Sequence, residues 1–242
     1  MDTIYLIWLF IVGMVFGSFF GVVGTRLSEE KSIIKPRSHC DHCNRILKWY
    51  ELIPVFSYLF QRGKCRGCGK NLSAFYPIIE LLTGFLFTLC YFCFRFSPSF
   101  LIALIIVSFL VIVIVSDITY LIIPDEVTLF FAITTIIVKF FAFGIKETIF
   151  SVLSGALLFL LMYIIMLLGN KIFKKETLGG ADIKLMFFVG LILPPALGIF
   201  NIFLSCCLAL PISIVSLIKN KNNVIPFGPF ILMATFLIYC FN

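Results

Sequence analysis

Apolar runs of a length that crosses a lipid bilayer recur along almost the whole chain. A membrane-spanning helix needs about 20 apolar residues, and eight segments are predicted as spans: 4–25, 78–96, 100–116, 127–144, 149–169, 183–193, 196–218 and 224–241. The sixth is short and ends at a Pro-Pro pair. Of the 242 residues, 61% are hydrophobic and 13% are charged, against roughly 25% charged residues in a soluble domain. The sequence therefore predicts an all-α polytopic membrane protein with about eight transmembrane helices.

The positive charges are unevenly distributed between the two sides of the predicted spans. Residues 26–70 carry ten of the nineteen Lys and Arg residues. With the N-terminus outside, this loop and segments 171–184 and 219–221 fall on the cytoplasmic side and together carry sixteen of the nineteen. This asymmetry follows the positive-inside rule. Basic residues beside spans suit anionic lipid, so the bilayer is an expected partner and nucleic acid is not.

The basic loop contains two Cys-x2-Cys pairs, Cys40 with Cys43 and Cys65 with Cys68, separated by 21 residues. Two such pairs can place four thiolates around one zinc ion at tetrahedral angles. A loop of about fifty residues has little core of its own, so a metal would supply much of its folding free energy. We therefore predict a small zinc-binding cytoplasmic loop domain with a structural Zn²⁺ held by these four cysteines.

Two other interpretations of the loop remain open. His39 and His42 flank the first cysteine pair and are alternative ligands. The four cysteines could also be free thiols or form two disulfides, although paired cysteines in a cytoplasmic loop favour metal binding. A site of four cysteines leaves no open position for water, which favours a structural metal over a catalytic one.

Five carboxylates lie within or at the ends of predicted spans: Glu80, Asp117, Asp125, Glu126 and Asp182. Ionisable residues at such positions are costly, so each is a candidate for function. Asp125 and Glu126 follow Pro124 and precede an apolar run. An N-cap and a first-turn acid belong at such a position, and we interpret both residues as structural.

Asp117 and Asp182 have weaker structural explanations. Asp117 directly follows the third apolar run, at a helix C-terminus, where the negative end of the dipole disfavours a carboxylate. Asp182 follows the segment Gly179-Gly180-Ala181, whose small side chains let a substrate backbone approach closely; the alternative is that Asp182 is another N-cap. The predicted topology places both at the cytoplasmic face on different helices.

Two carboxylates at the same depth suit an aspartyl protease, in which the pair shares one proton. A Ser/His/Asp set is excluded, because both histidines lie beside the first cysteine pair. An alternative function is an ion- or proton-coupled transporter with a metal-binding loop, which predicts acids near mid-membrane. Another is a membrane scaffold in which Asp117 and Asp182 are helix caps.

The chain resembles the prepilin peptidases, also called type IV leader peptidases, over nearly its full length. The matching motifs are Gly17-Ser18-Phe19, Arg26-Leu27, Pro36-Arg37-Ser38-His39-Cys40, Arg62-Gly63-Lys64-Cys65, Tyr76-Pro77 with Glu80, Asp117 with Ile123-Pro124-Asp125, Gly179-Gly180-Ala181-Asp182-Ile183-Lys184 and Pro226-Phe227-Gly228-Pro229. Two positions depart from the family pattern. Ala181 replaces the second glycine of a GxGD motif, and Gly21 stands where the family usually has Asn.

The resemblance implies an integral membrane aspartyl endopeptidase of the bacterial inner membrane, with Asp117 and Asp182 catalytic at the cytoplasmic side. Its substrates would be type IV prepilins or pseudopilins, cut after the basic leader and commonly after a Gly. Many members with the four-cysteine loop also N-methylate the new terminus with S-adenosylmethionine. The predicted division is therefore a first transmembrane helix over 1–26, a zinc loop with the N-methyltransferase part over 27–77, and a peptidase domain over 78–242.

Overall fold

A computed structural model of the chain describes residues 2–40, 42–174, 178–218 and 225–242. Three lysines counted for orientation, Lys175, Lys219 and Lys221, lie outside these ranges, as does the first residue of the predicted last span. The described residues are predominantly helical and contain no strand. The chain forms two compact units, Met1–Cys93 and Phe94–Asn242. The predicted division at residues 26 and 77 concerns function and stays a prediction.

The first unit consists of two long helices with the cysteine loop between them. The elements are α1 (Asp2–Ser28), a 3-10 helix (Trp49–Leu52), α2 (Phe56–Phe60) and α3 (Phe75–Phe94). Helices α1 and α3 meet backbone to backbone, because a Cβ on Gly13 would lie 2.8 Å from the Cα of Gly84. One turn further along α1, a Cβ on Gly17 would lie 2.7 Å from the Thr83 hydroxyl oxygen. Small residues four apart are the usual means of close packing between membrane helices.

The described residues of the second unit form a bundle of six helices. The first of these helices is central and buried. The helices are α4 (Pro98–Tyr120), α5 (Asp125–Phe143), α6 (Ile145–Phe173), α7 (Gly180–Ile192), α8 (Pro195–Ile218) and α9 (Gly228–Phe241). Helix α4 is buried on most sides; Ile102, Val107 and Val113 are each fully inaccessible. A helix that is apolar all round belongs in the middle of such a bundle.

The prediction of an all-helical membrane protein is confirmed, whereas the count of eight spans is not. Within the described residues, six helices are long and apolar enough to cross a membrane: α1, α3, α4, α5, α6 and α8. Helices α7 and α9 lie where spans were predicted but have only 13 and 14 residues. At about 1.5 Å per residue they are shorter than a hydrocarbon layer of about 30 Å.

Helix α7 crosses α6 at a pair of glycines. A Cβ on Gly190 would lie 2.6 Å from the Cα of Gly155, and a Cβ on Gly155 would lie 2.8 Å from the carbonyl oxygen of Phe187. No side chain fits between the two backbones at this crossing. Glycine at these positions therefore sets how close α7 lies to α6.

The C-terminal end of α7 is held by polar side chains of α5 and α6. Helix α7 ends before Pro194-Pro195, which have no N–H groups to donate. Lys139 Nζ lies 3.5 Å from the carbonyl oxygen of Ile192, and the Ser154 hydroxyl donates to the carbonyl of Leu193 at 3.0 Å. Lys139 also donates to the Ser151 hydroxyl at 2.8 Å. A cation at a helix C-terminus is favourable, and these bonds satisfy carbonyls that water does not reach.

We predict that Gly190→Ala destabilises the protein and that Gly180→Ala does not. The added methyl at Gly190 collides with the α6 backbone, and overpacking of this kind costs about 1–3 kcal/mol. A methyl at Gly180, in the same helix, would meet nothing within 4 Å. Thermal unfolding in detergent, followed by circular dichroism, measures both. An unchanged midpoint for Gly190→Ala would contradict the close crossing.

Candidate functional site

Asp117 lies in the last turn of α4, which continues through Tyr120 and so extends beyond the predicted end. Its side chain is buried, with the residue 7% exposed. The Gly228 amide, at the start of α9, donates to Asp117 Oδ2 at 3.2 Å. The negative end of α4 disfavours this carboxylate, and the positive end of α9 compensates for it.

Asp182 is the third residue of α7, and its amide donates to the carbonyl of Gly179 at 3.2 Å. Gly179 occupies the N-cap, so the alternative in which Asp182 is the N-cap is wrong. A Cβ on Gly179 would lie 3.4 Å from Asp182 Oδ2. The small residue before α7 therefore keeps the space beside this carboxylate open.

A layer of three aromatic rings fixes the relative heights of the two aspartates. The Phe109 ring of α4 stacks on Phe131 of α5 at 4.9 Å and meets Phe188 of α7 edge-on at 4.8 Å. Asp117 follows Phe109 by eight residues, and Asp182 precedes Phe188 by six. At 1.5 Å per residue, the aspartates lie roughly 12 and 9 Å along their helices from this layer.

Both aspartates lie toward the same end of the second unit. A loop of four residues connects α4 to α5, so these two helices run antiparallel. Near the start of α7, Lys184 forms an ion pair with Asp125 in the first turn of α5. Helix α7 therefore runs antiparallel to α4, which brings the start of α7 to the end of α4. The structure thus assembles the two carboxylates that the sequence singled out.

Asp125 and Glu126 lie in the first turn of α5, as predicted, but the N-cap is Pro124 rather than an acid. Both carboxylate oxygens of Asp125 accept from Lys184 Nζ, at 2.6 and 2.7 Å. Glu126 is exposed. The pairing explains why an acid stands at position 125 and why a lysine follows Asp182 by two residues. Sequence reasoning gave Asp125 a structural role without identifying this partner.

Glu80, the remaining acidic candidate, holds the cysteine loop against α3. It is 8% exposed, and its Oε2 accepts the amide of Val55 at 2.7 Å. Ser18 of α1 also donates to this carboxylate. Val55 has φ 60° and ψ −52°, a conformation that is strained for a β-branched residue. The buried carboxylate therefore clamps a strained turn of the loop to the helix pair.

The four cysteines of the loop form one cluster. The Cys40 and Cys68 sulfurs are 4.0 Å apart, as are those of Cys43 and Cys65, and all four lie within 4.8 Å of one another. Sulfurs about 2.3 Å from a tetrahedral metal are about 3.8 Å apart. The cluster can therefore hold a metal ion, as predicted.

The two cysteine pairs share one backbone arrangement. The amide four residues after the first cysteine donates to that cysteine's carbonyl, from Asn44 to Cys40 at 2.8 Å and from Gly69 to Cys65 at 2.9 Å. Both donors have positive φ, 54° for Asn44 and 70° for Gly69. Asn and Gly are the residues that adopt this conformation most readily.

The disulfide and histidine-ligand interpretations of the loop do not fit this geometry. Sulfurs 4.0 Å apart are not bonded, because a disulfide is about 2.05 Å long. His39 Nδ1 donates to the Arg37 carbonyl at 3.0 Å. Among the described residues, neither His39 nor His42 joins the group that can hold a metal.

Charged groups around the cluster suit metal-bound thiolates. The Arg45 guanidinium donates to the buried Glu51 carboxylate at 2.6 Å, and the Lys48 amide donates to the same carboxylate at 2.8 Å. Burial raises the pKa of Glu51, but these two bonds outweigh it and hold the pKa below its usual value. Arg45 Nε is itself buried without a hydrogen-bond partner, and the Cys65 sulfur acts on this guanidinium. A cation here favours thiolate ligands.

Hydrogen bonds from the backbone amides of Cys68 and Gly67 lower the pKa of the Cys65 thiol to about 6. The Gly67 amide lies 3.4 Å from the Cys65 sulfur. Gly67 also has to be small, because a Cβ there would lie 3.0 Å from Arg45 Nε. At Cys43 the Arg45 amide lowers the pKa, but burial and the neighbouring cysteines raise it to about 11, so the thiolate form is favoured at Cys65.

Comparison with known proteins finds matches for the segment that contains the cysteine cluster and for the segment that contains the two aspartates. Residues 11–94 match the bacterial peptidase A24 N-terminal domain, and residues 104–214 match the type IV leader peptidase family. The prepilin leader peptidase/N-methyltransferase of Bacillus subtilis (strain 168) is 32% identical over 237 residues, which cover 97% of this chain and 93% of the relative. This chain belongs to the type IV leader peptidase family.

Two further relatives of the family extend the comparison. The prepilin leader peptidase/N-methyltransferase of Myxococcus xanthus (strain DK1622) is 36% identical over 77% of this chain, which spans 56% of that relative's length. A type 4 prepilin-like proteins leader peptide-processing enzyme of Escherichia coli O78:H11 is 29% identical over 90% of this chain and 87% of the relative. No solved structure gives a significant match.

We predict that Glu51→Gln weakens metal binding by the loop. The substitution removes the charge that orients Arg45, and loss of such a supporting partner costs about tenfold or more in metal affinity. Titration of the purified, metal-stripped full chain with Co²⁺, followed through the thiolate absorbance, measures the affinity. Glu29→Gln is the control, because Glu29 forms an exposed ion pair with Lys31. Equal affinities for the two variants would contradict a role for the Arg45–Glu51 pair.

Proposed function

We propose that this chain is a membrane aspartyl endopeptidase that cleaves the leader from type IV prepilins or pseudopilins, with Asp117 and Asp182 as its catalytic pair. The supporting observation is the convergence of the two carboxylates from different helices at one end of the second unit. Both lie in the segment that matches the leader peptidase family. The relatives named above carry the same activity in their names.

The surroundings of the two aspartates suit a pair that shares one proton. The Gly228 amide donates a hydrogen bond to Oδ2 of Asp117. Oδ1 of Asp117 would then be the oxygen that interacts with the other aspartate or with water. Lys184, two residues from Asp182, is held by Asp125, so its charge is already balanced. Like charges close together do not both ionise readily, so the proposed pair would retain one proton between its two carboxylates.

Cleavage then follows from that shared proton. The ionised carboxylate takes a proton from a water molecule, which attacks the scissile carbonyl, while the protonated carboxylate donates a hydrogen bond to the carbonyl oxygen. Collapse of the tetrahedral intermediate transfers a proton to the leaving amine and restores the pair. The small residues Gly179 and Gly180 leave room for the substrate backbone beside Asp182.

The membrane orientation belongs to the same proposal. With the N-terminus outside, the loop and both aspartates face the cytoplasm of a bacterial cell, as the distribution of Lys and Arg favours. A prepilin leader would then lie in the cytoplasm and its hydrophobic helix in the bilayer. The transporter alternative is not favoured, because both carboxylates lie at helix ends rather than mid-membrane.

The metal we propose for the loop is a structural Zn²⁺. Four thiolates complete its coordination and leave no position for a substrate, so the ion would hold the two cysteine pairs together and take no part in cleavage. Elemental analysis should find one zinc per chain in the wild type and a loss of zinc in Cys40→Ser. Another metal, or zinc retained without Cys40, would contradict this assignment.

The relatives named prepilin leader peptidase/N-methyltransferase suggest a second activity. If the chain has it, S-adenosylmethionine would be the methyl donor for the newly exposed N-terminus. Among the described residues, the two surface cavities at the loop are lined by basic, polar and apolar side chains, with no acid to accept ribose hydroxyls. These residues do not form a recognisable site for that cofactor, and methylation rests on the names of the relatives.

The decisive experiment compares Asp117→Asn, Asp182→Asn and Asp125→Asn with the wild type. Cleavage of a prepilin with a Gly-Phe junction is measured in detergent. We expect the first two variants to lose activity by a factor on the order of 10³ or more, since members of a catalytic unit are each indispensable. Asp125→Asn keeps both carboxylates of the proposed pair and releases Lys184 from an exposed ion pair, so it should stay within about tenfold of the wild type.

Thermal unfolding of the same variants shows whether each is folded. Full activity of Asp117→Asn or Asp182→Asn would refute the proposed pair. Loss of activity in Asp125→Asn with an active Asp117→Asn would move the catalytic acid eight residues along the chain. If the folded, zinc-loaded wild type does not cleave the prepilin, the peptidase assignment itself is refuted.

We also predict that Gly228→Ala lowers activity by displacing Asp117. A Cβ at this position would lie 2.6 Å from Ile123 Cδ1 and 3.1 Å from Asp117 Oδ2. A displacement on the order of 1 Å of a catalytic group can cost about a hundredfold in rate. Because Ile123→Val removes the closest atom, Gly228→Ala combined with Ile123→Val should regain part of the activity. Wild-type rates for Gly228→Ala alone would show that the contact does not position Asp117.

A further inference from the structure

The cysteine loop of the first unit carries an exposed apolar surface that its metal cluster and core do not use. Its residues are each between 40% and 78% exposed, and we call them the aromatic face: Trp49, Leu52, Ile53, Phe56, Leu59 and Phe60. Phe56, Leu59 and Phe60 are spaced as one side of α2. A contiguous apolar patch of this kind marks a surface that binds something.

The contact between Glu80 and Val55 sets the depth of this face relative to the membrane helices. Val55 immediately precedes α2, and its amide is bound to Glu80 at 2.7 Å. Glu80 is five residues into α3, about 7.5 Å from its start. Ile78 and Leu81, which flank it on α3, are 59% and 43% exposed. Exposed apolar residues on a spanning helix suit contact with lipid, which would place the start of α2 level with the edge of the hydrocarbon layer on the side of the loop.

The charges beside the aromatic face complement an anionic lipid surface. Lys48 immediately precedes Trp49, and Arg62 follows Phe60 by two residues; both are exposed. Residues 26–70 carry ten Lys and Arg against four acids. Trp, Phe and Leu on one side with flanking Lys and Arg are characteristic of segments that lie in the membrane interface.

We propose that the aromatic face inserts into the headgroup region of the bilayer on the side of the loop and holds the metal cluster against the anionic membrane surface. The loop then has three attachments to the membrane: the ends of α1 and α3 and this face. The inference rests on the first unit alone and does not depend on the peptidase assignment. A prepilin helix or a second copy of the chain is the competing occupant.

Trp49 reports on the proposal directly, because the chain has only one other tryptophan, Trp8 of α1. The metal-loaded full chain with Trp8→Phe is reconstituted into vesicles of phosphatidylcholine and phosphatidylglycerol. Some vesicles contain lipids brominated near the headgroup and others contain lipids brominated near the chain end. We expect Trp49 emission to be at least about twofold lower with shallow than with deep bromines, as for an interfacial tryptophan.

A matched pair of variants tests whether the whole face takes part. Phe56→Ser with Phe60→Ser should reduce the quenching by shallow bromines at least about twofold, because α2 loses its lipid-facing side. Ile46→Ser is the control, since Ile46 is 57% exposed in the same loop but outside the face. Unchanged metal content shows that each variant keeps its loop folded.

Three results would overturn the proposal. Free quenching of Trp49 by aqueous acrylamide with no effect of brominated lipid would place the face in water. Protection from both quenchers would indicate that a second copy covers it. Unchanged lipid quenching in Phe56→Ser with Phe60→Ser, together with weaker binding of a synthetic prepilin helix, would indicate that the face is the substrate's binding surface.

Discussion

The absence of water in the hydrocarbon layer is the constraint on which the rest of this structure depends. Every backbone and side-chain polar group within it needs a partner from the protein. Helix α7 shows the consequence, because it is short and two prolines remove the donors beyond its last turn. Lys139 and Ser154 donate to the carbonyls of Ile192 and Leu193 at this end, and the Gly155–Gly190 crossing holds α7 against α6. These contacts fix the helix that carries Asp182.

The same constraint determines where a carboxylate can be placed. Asp117 occupies the wrong end of its own helix, where the dipole is negative. The start of α9 meets it and donates the Gly228 amide, so the two helix ends offset one another. At Asp182 the carboxylate lies at the favourable end of α7. Each of the two carboxylates therefore has the positive end of a helix beside it, α9 for Asp117 and α7 for Asp182.

Much of this could be predicted from the sequence, because periodic apolar runs and Cys-x2-Cys spacing are local signals. The helices appear where the runs predicted them, the four cysteines meet, and Asp117 and Asp182 reach the same end of the bundle. The span count is not confirmed at the two short helices, since an apolar run alone does not reveal whether it crosses the bilayer. The contacts of Gly228 with Asp117 and of Lys139 with Ile192 join residues 111 and 53 positions apart, and no local pattern identifies such contacts.

The loop differs from the bundle in how it stays folded. Apart from its two cysteine pairs, its interior contains little more than the Arg45–Glu51 pair, and several of its aromatic side chains are exposed. Metal coordination replaces a core in such a segment, while the Glu80 contact attaches it to the helices. If the exposed face also rests on lipid, burial of apolar surface takes place against the membrane rather than within the chain. A loop of this size would then need no larger core, and its position would depend on the bilayer as much as on its own residues.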